Sequence, residues 1–512
     1  MRLIRLFYVL YKIKLLSPLS IYRLITSILK NGLNLMTLLD FAEKKYSNKI
    51  ALVDDQESIS YHQLRSDAMK LAIGFSENYQ IQKGQKVGFL CRNHASLIRA
   101  LFAVSRIGAD IYLLNIEMGK QQFINLVESH NFDCLIYDEE ASLLIKESNY
   151  SNRKILSNHP SLPSIHSLIN SPVIEKKAMP RTSGNRIVLL TSGTTGSPKA
   201  AIHRTSLFNY LNPFVAFIKR LKILDYHTSY VATPIFHGYG FAVFLLFIPL
   251  GKKSVITSKF EAKKATQLIH DHNVEVISVV PTMVQKLLRQ NIEALHSIKV
   301  IASGGAKLSP KLIAQTSSKL GNVLFNLYGS SEAGLNFIAT PDDLALSPNT
   351  IGKKINGLKI RILDNDLQEV DTGLIGQLCI KNKWSMSTKN NTWIETGDLG
   401  YCNQIGYYFI SGRADDMIIS GGENVYPIEV EKQIMKHPLI EDAAVIGISD
   451  EEFGQRLEAY VQPMSGTALS EVELLEWLRS SSIARYEMPK SIVFVEELPY
   501  TSLGKLDRKR LR

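Results

Sequence analysis

Leu189 to Arg204 reads LLTSGTTGSPKAAIHR. An apolar run of strand type, Ile187 to Leu190, leads into Thr191, Ser192, Gly193, Thr194, Thr195, Gly196, Ser197, Pro198 and Lys199. Gly193 and Gly196 can take the positive φ angles that turn backbone N–H groups inward. The Thr and Ser hydroxyls add donors, and Lys199 adds a positive charge. That is the chemistry of a cradle for a polyphosphate. It is not the loop of the nucleotide hydrolases, because no GxxxxGK[ST] occurs in the chain.

Two further turns sit where strand signals end. Pro234-Ile-Phe-His-Gly-Tyr-Gly240 is aromatic-rich with one histidine, His237, which suits the mouth of an acyl pocket. Ser303-Gly304-Gly305-Ala306 carries almost no side-chain bulk, so a flat adenine ring or a substrate can approach the backbone there.

The Thr/Ser/Gly stretch resembles the phosphate-binding signature of adenylate-forming enzymes, the superfamily of acyl-CoA synthetases, luciferases and peptide-synthetase adenylation domains. The other motifs of that superfamily follow in order from about Met36 to the C-terminus, and the chain looks most like the bacterial fatty acyl-CoA synthetases. These enzymes activate a carboxylate with ATP to an acyl-adenylate, release pyrophosphate and pass the acyl group to a thiol. The resemblance implies ATP, Mg²⁺ and coenzyme A as cofactors.

The same resemblance implies roles for single residues. Thr191 to Gly196 and Lys199 would hold the phosphates, and Gly304, Gly305 and Ala306 would lie against the nucleotide. His237 would sit beside the carboxylate being activated. In Asn326-Leu-Tyr-Gly-Ser-Ser-Glu332, Asn326 would meet the adenine amino group, Tyr328 would stack on the ring and Gly329 would line the site. Ser331 would donate to the phosphate or carboxylate. Glu332 would hold Mg²⁺, since a hard cation needs oxygen ligands. Asp398, in Thr396-Gly-Asp398, would accept from ribose hydroxyls, Arg413 would reach ribose or phosphate, and Asp415 would be the hinge of a mobile small domain. Lys505 would be the catalytic lysine, a cation where charge builds between carboxylate and α-phosphate. Gly421 and Gly422 would let pantetheine approach in a thiol tunnel. One departure stands out: Lys381 to Asn391 is polar, where relatives carry a Gly- and Tyr-rich stretch.

These sites need elements to position them. Hydrophobic runs at Ala51–Val53 and Ile59–Tyr61 predict a hairpin, with Ser60 opening a helix to about Asn78. Short apolar strands at 87–90, 111–114 and 134–137 alternate with helical patterns, and the alternation resumes at 230–233, 253–257, 275–280, 299–302 and 323–327. Residues 139–184 read as irregular surface structure. Beyond Gly412 short strands and two helices, about 427–436 and 470–480, suggest a separate α+β unit. The expected fold is α/β: a leader at 1–35, a large domain of doubly wound sheets at 36–412 and a small mobile α+β domain at 413–512. The superfamily adds a small β-barrel-like part to the large domain.

With 512 residues, 45% hydrophobic and 21% charged, the chain is globular and too long for one core. Cys91, Cys134, Cys379 and Cys402 are scattered, which argues against a disulfide framework or a zinc site. The net charge of +11 is uneven: residues 1–35 hold Arg2, Arg5, Lys12, Lys14, Arg23 and Lys30 and no acid. The longest uncharged run there is too short to span a bilayer. Two short helices fit, about 3–16 and one from Pro18, capped by Ser17 and ended by Gly32. Contact with a membrane surface is the expectation for this leader, against the alternative of a helical arm packed on the body or a dimer contact. The basic charge carries no recognised nucleic-acid module, and no GxSxG marks a serine hydrolase.

The expected activity is ligation of a fatty acid, of medium or long chain, to coenzyme A, with the aromatic-aliphatic run Phe236–Leu250 lining the acyl pocket. That run equally fits a buried core helix. The alternative reaction passes an acyl or aryl group to a carrier-protein phosphopantetheine. The expected location is the cytoplasm, with peripheral contact at the inner face of the membrane.

Overall fold

The computed structural model describes residues 11, 16–159, 162–171, 179–191, 199–204, 210–385, 392–420, 423–464, 466–481, 483–501 and 504–511. The fold is α/β, with a large N-terminal and a small C-terminal domain. A six-stranded sheet runs in the order 153–156, 134–137, 86–90, 110–113, 186–191, 199–204. Its pairs are parallel except the last, where Arg186–Thr191 and Lys199–Arg204 form an antiparallel pair around the expected phosphate loop. The near-continuous apolar runs of its central strands, buried on both faces, are what parallel strands covered by helices require.

A second path joins thirteen strands. Its parallel part places 50–53, 253–256, 228–231, 276–279, 300–304 and 324–330 side by side. From Leu324–Ser330 onward the neighbours turn antiparallel, through 334–339, 350–354, 408–413, 394–402, 376–381 and 359–363. Where the barrel-like part was expected, these strands continue the sheet as an open antiparallel path among the described residues. The predicted hairpin is present, Ile50–Val53 against Ser58–Ser60, and Ser60 caps the helix Tyr61–Glu77 through Gln63 N.

A third sheet, built on the long hairpin Ile440–Asp450 and Gly454–Pro463, has its own core around Val445, Leu457, Ala459 and Leu474. The helices Pro427–Ile434 and Glu471–Ser480 cover it, the latter capped reciprocally by Ser470 and Glu473.

The described residues between 139 and 184 hold more regular structure than expected. Arg153–Leu156 is an edge strand paired parallel to Cys134–Tyr137, and Ile165–Asn170 is a helix capped by Ser164. Near the N-terminus, the helix Pro18–Asn31 starts at Ser17 and stops at Gly32, as its sequence predicts. Gly32 has φ +87°, and a Cβ there would fall 2.0 Å from the Thr182 carbonyl oxygen. The expected helix at 3–16 lies almost wholly outside the described residues.

Candidate functional site

The strands 324–330 and 394–402, far apart in sequence, bring their polar side chains together. Tyr328 donates its phenol hydrogen to Asp398 Oδ2. Asp398 also meets Arg413 Nη1 at 3.3 Å, and Arg413 Nε reaches Asp415 Oδ1 at 2.9 Å. The register makes this inevitable, because Asp398 and Arg413 are partners across the antiparallel pair. Gly397 between them has φ +74°, and a Cβ there would lie 2.8 Å from Arg413 Nη2. Only glycine leaves room for that guanidinium.

Electrostatics follow from burial. Desolvation raises the Asp398 carboxyl above its ordinary range, opposed by Tyr328, Arg413 and Lys505. Burial and the Asp398 charge push the Tyr328 phenol well above its usual value. Asp415 is held low and Arg413 high, chiefly by their mutual hydrogen bond. Asn326, on the same strand as Tyr328, donates Nδ2 to the Thr350 carbonyl at 3.1 Å. That bond fixes the amide so that its oxygen is left to accept, the polarity an adenine amino group needs.

His237 stands at the N-terminal cap of the helix Gly238–Phe247, at the end of the strand Thr228–Val231 and its following turn. Burial first, and the Lys505 charge second, lower its pKa to about 3, so the imidazole is neutral near pH 7. Lys505 sits in the tight turn 501–505, closed by Thr501 N to Lys505 O at 2.8 Å. Beside it Gly504, φ +66°, presses onto the large domain: a Cβ there would meet Val280 Cγ2 at 2.9 Å and Thr282 Oγ1 at 3.0 Å. The small domain thus delivers the Lys505 charge to both Asp398 and His237.

Gly304 closes the strand Val300–Gly304, where a Cβ would lie 3.1 Å from the Leu327 oxygen and 3.5 Å from the Tyr239 ring. Gly305 follows with φ +84°, and Ala306 continues the turn. Ser303, fully buried, leaves its Oγ without a hydrogen-bond partner among the described residues. Ser331 and the exposed Glu332 form the turn between Leu324–Ser330, which carries Gly329, and Gly334–Ala339. The Glu332 carboxylate offers a hard oxygen donor of the kind divalent cations take.

Several expected positions cannot be placed. Residues 192–198 of the phosphate loop, and Gly421 and Gly422, lie outside the described residues; Thr191 and Lys199 are register partners flanking the loop.

Other residues matter that the sequence reading passed over. Asn93 donates Nδ2 to Thr233 O at 3.1 Å and accepts from Ile235 N at 2.7 Å, clamping the turn that carries His237. A polar residue just past the apolar strand Lys86–Leu90, at its carboxyl end, was the available signal. Across the two domains, Glu441 accepts from Arg289 and, at 2.8 Å, from Gln285 Nε2, while Lys311 Nζ donates to Ile440 O at 2.8 Å. A cleft of about 890 Å³ lies between the domains and reaches Pro234 and Phe236 on one wall and Tyr500 and Thr501 on the other. Cys91, His94 and Asp138 also converge, while the other three cysteines stay apart from them. There, His94 Nδ1 accepts from Leu97 N, and Nε2 meets Asp138 at 2.8 Å, so both ring nitrogens are already engaged in a capping network.

The family model described as AMP-binding enzyme matches residues 39–388, and that of the AMP-binding enzyme C-terminal domain matches residues 429–505. The chain belongs to the AMP-binding enzyme family. It is 28% identical over 479 residues to a 2-succinylbenzoate–CoA ligase of Bacillus cytotoxicus, covering 91% of this chain and 95% of the relative. A Bacillus thuringiensis ligase of the same name is 26% identical over 480 residues, with the same shares of each chain covered. Among solved structures, o-succinylbenzoate CoA synthetase from Bacillus subtilis, in complex with its acyl-adenylate intermediate, superposes with a TM-score of 0.79 at 25% identity, covering 93% of this chain and 97% of that one. An anthranilate CoA ligase in complex with anthranoyl-AMP shares the fold at a TM-score of 0.83 and 21% identity, covering 94% and 96%.

Proposed function

We propose that this member of the AMP-binding enzyme family is an AMP-forming acid–CoA ligase. In the first half-reaction a carboxylate oxygen of the acid attacks the α-phosphorus of ATP and pyrophosphate leaves. In the second, the thiol of coenzyme A attacks the acyl carbonyl and AMP leaves. The observation that carries the reading is the position of Lys505. A turn of the small domain brings its charge to the neutral His237 and the Tyr328–Asp398–Arg413 cluster at once.

In this reading Asn326 and Tyr328 hold adenine, Asp398 and Arg413 hold ribose, and the loop from Thr191 to Lys199 holds the phosphates. Lys505 stabilises the charge that builds as carboxylate meets α-phosphate, a role worth about a hundredfold or more in rate for one well-placed donor. His237 orients the carboxylate as a neutral group. Glu332 would hold Mg²⁺, which would supply positive charge against the polyphosphate. Asp415 is the hinge, and Gly421 and Gly422 line the path of the thiol.

The acid we propose is an aromatic carboxylate. The expected fatty chain rested partly on the run Phe236–Leu250, and that run is a core helix: Phe241, Val243, Phe244, Leu246 and Phe247 are buried. Tyr239 donates its hydroxyl to Ala302 O at 2.6 Å and fills space beside Gly304. The curated relatives act on 2-succinylbenzoate, an aromatic acid, which supports the same class.

The test is acyl-CoA formation by mass spectrometry with ATP, Mg²⁺ and coenzyme A, offering 2-succinylbenzoate and other aryl acids beside C4 to C18 fatty acids. An aryl-CoA product lost in Lys505→Ala is the expected result. A fatty acyl-CoA product overturns the acid class. Pyrophosphate release without any CoA thioester overturns the acceptor and points to a carrier protein.

A further inference from the structure

The helix Pro18–Asn31 is turned inside out. Ser20, Ser27 and Asn31 are buried, while Leu19, Ile21, Tyr22, Ile25 and Leu29 are 56%, 41%, 65%, 50% and 60% exposed. At about 100° per residue those five apolar side chains occupy one continuous arc of about 160°, opposite the buried polar side. Leu33, just past the helix, is exposed as well. A helix lying on a globular body ordinarily buries its apolar stripe and exposes its polar one.

Polar bonds hold it this way round. Ser27 Oγ donates to Asp40 Oδ2 at 2.8 Å, and Lys44 Nζ donates to Thr26 Oγ1 and Ser27 Oγ, each at 3.0 Å. Asn34 Nδ2 donates to Asn31 O at 2.7 Å and to Thr182 O at 3.0 Å. Rolling the helix over to hide its apolar arc would strip Asp40, itself 1% exposed, of the Ser27 bond.

The charged residues of the first 35 positions all have one sign. Arg23 and Lys30 border the apolar arc, Arg2, Arg5, Lys12 and Lys14 precede it, and the first acid in the chain is the buried Asp40. That acid is matched by Lys44, Arg65 and, at 3.7 Å, Lys30. No helix among the described residues is long and apolar enough to cross a membrane. We infer that Pro18–Asn31 is an interfacial anchor, laying Leu19, Tyr22, Ile25 and Leu29 into the acyl boundary of an anionic lipid bilayer beneath its cations. Apolar side chains with flanking Lys and Arg are what such a surface binds. A second copy of the chain is disfavoured as the occupant, since pairing two such faces sets like charges together.

The full-length protein is floated with vesicles of phosphatidylglycerol and phosphatidylcholine in equal parts, and with phosphatidylcholine alone, at low and high salt. The expected result is flotation with the anionic vesicles, weakened by salt. The Tyr22→Glu/Leu29→Glu variant should lose it. Arg23→Gln should lower the partition coefficient about fivefold. An unchanged melting temperature, read alongside, shows that the variants fold. Three results overturn the inference. One is no flotation of the native protein. Another is a dimer in sedimentation that the Glu variant dissociates, which assigns the face to a second copy. The third is protection of Tyr22 from hydroxyl-radical labelling without lipid in the monomer, which assigns it to the chain's own first fifteen residues.

Discussion

Tyr328 donates its hydroxyl hydrogen to the half-buried carboxylate of Asp398, and Arg413 takes the other oxygen of the same group. Two strands of one sheet path thereby lock an aromatic ring and an acid in fixed relation. Tyr328→Phe keeps the ring and removes the donor. A bond to a charged group contributes about 1.5–3 kcal/mol, so AMP affinity, measured by calorimetry, should fall about tenfold as the Asp398 carboxylate loses its orientation. The melting temperature should drop with it, because Arg413 alone then satisfies a half-buried charge. Unchanged affinity would separate this pair from nucleotide binding.

His237 gives a prediction in pH. Its folded pKa is lowered to about 3 by burial and by Lys505, below the ordinary imidazole value of 6.5. The unfolded chain therefore binds a proton below pH 6.5 that the folded chain refuses until near pH 3. Stability from this group is full above pH 6.5 and is lost as pH falls toward 3. His237→Asn should flatten the acid limb of stability, read by urea denaturation at a series of pH values. The rate profile of the native enzyme should show no ionisation of this imidazole between pH 5 and 8.

Glu441 ties the small domain to the large one through Arg289 and Gln285. Glu441→Ala removes both contacts from a partly exposed position, for a cost of about 1 kcal/mol. Pyrophosphate exchange, which under the proposed function needs Lys505 seated, should slow severalfold. The melting temperature of each domain core should stay in place, because neither core loses an apolar side chain. An exchange rate equal to that of the native protein would mean that Gly504, against Val280 and Thr282, seats the domain alone.

Much of this was legible in the chain. A motif confined to one strand and its turn, such as Asn326 to Glu332, carries its own apolar run and glycine, so both element and position could be read. What could not be read depended on partners distant in sequence. Asn93 looks like an ordinary loop asparagine until Thr233 and Ile235 come to it. The strand Arg153–Leu156 has only two apolar residues because it lies at a sheet edge, too few to stand out from its polar surroundings. The helix Pro18–Asn31 was placed by its caps, but its orientation follows from Asp40 and Thr182, which no periodicity reports. The run Phe236–Leu250 leaves two readings open for a related reason: an apolar stretch that lines a channel and one that fills a core have the same composition.

That last distinction is itself testable. Phe244 is 1% exposed within the large-domain core. If the run is core, Phe244→Ala opens a cavity and costs about 3–5 kcal/mol, seen as a large fall in the denaturation midpoint, with the acid preference of the surviving protein unchanged. If it lines a substrate channel, the same substitution costs little stability and shifts the preference toward larger acids. The burial of Phe241, Val243 and Phe247 around it predicts the first outcome.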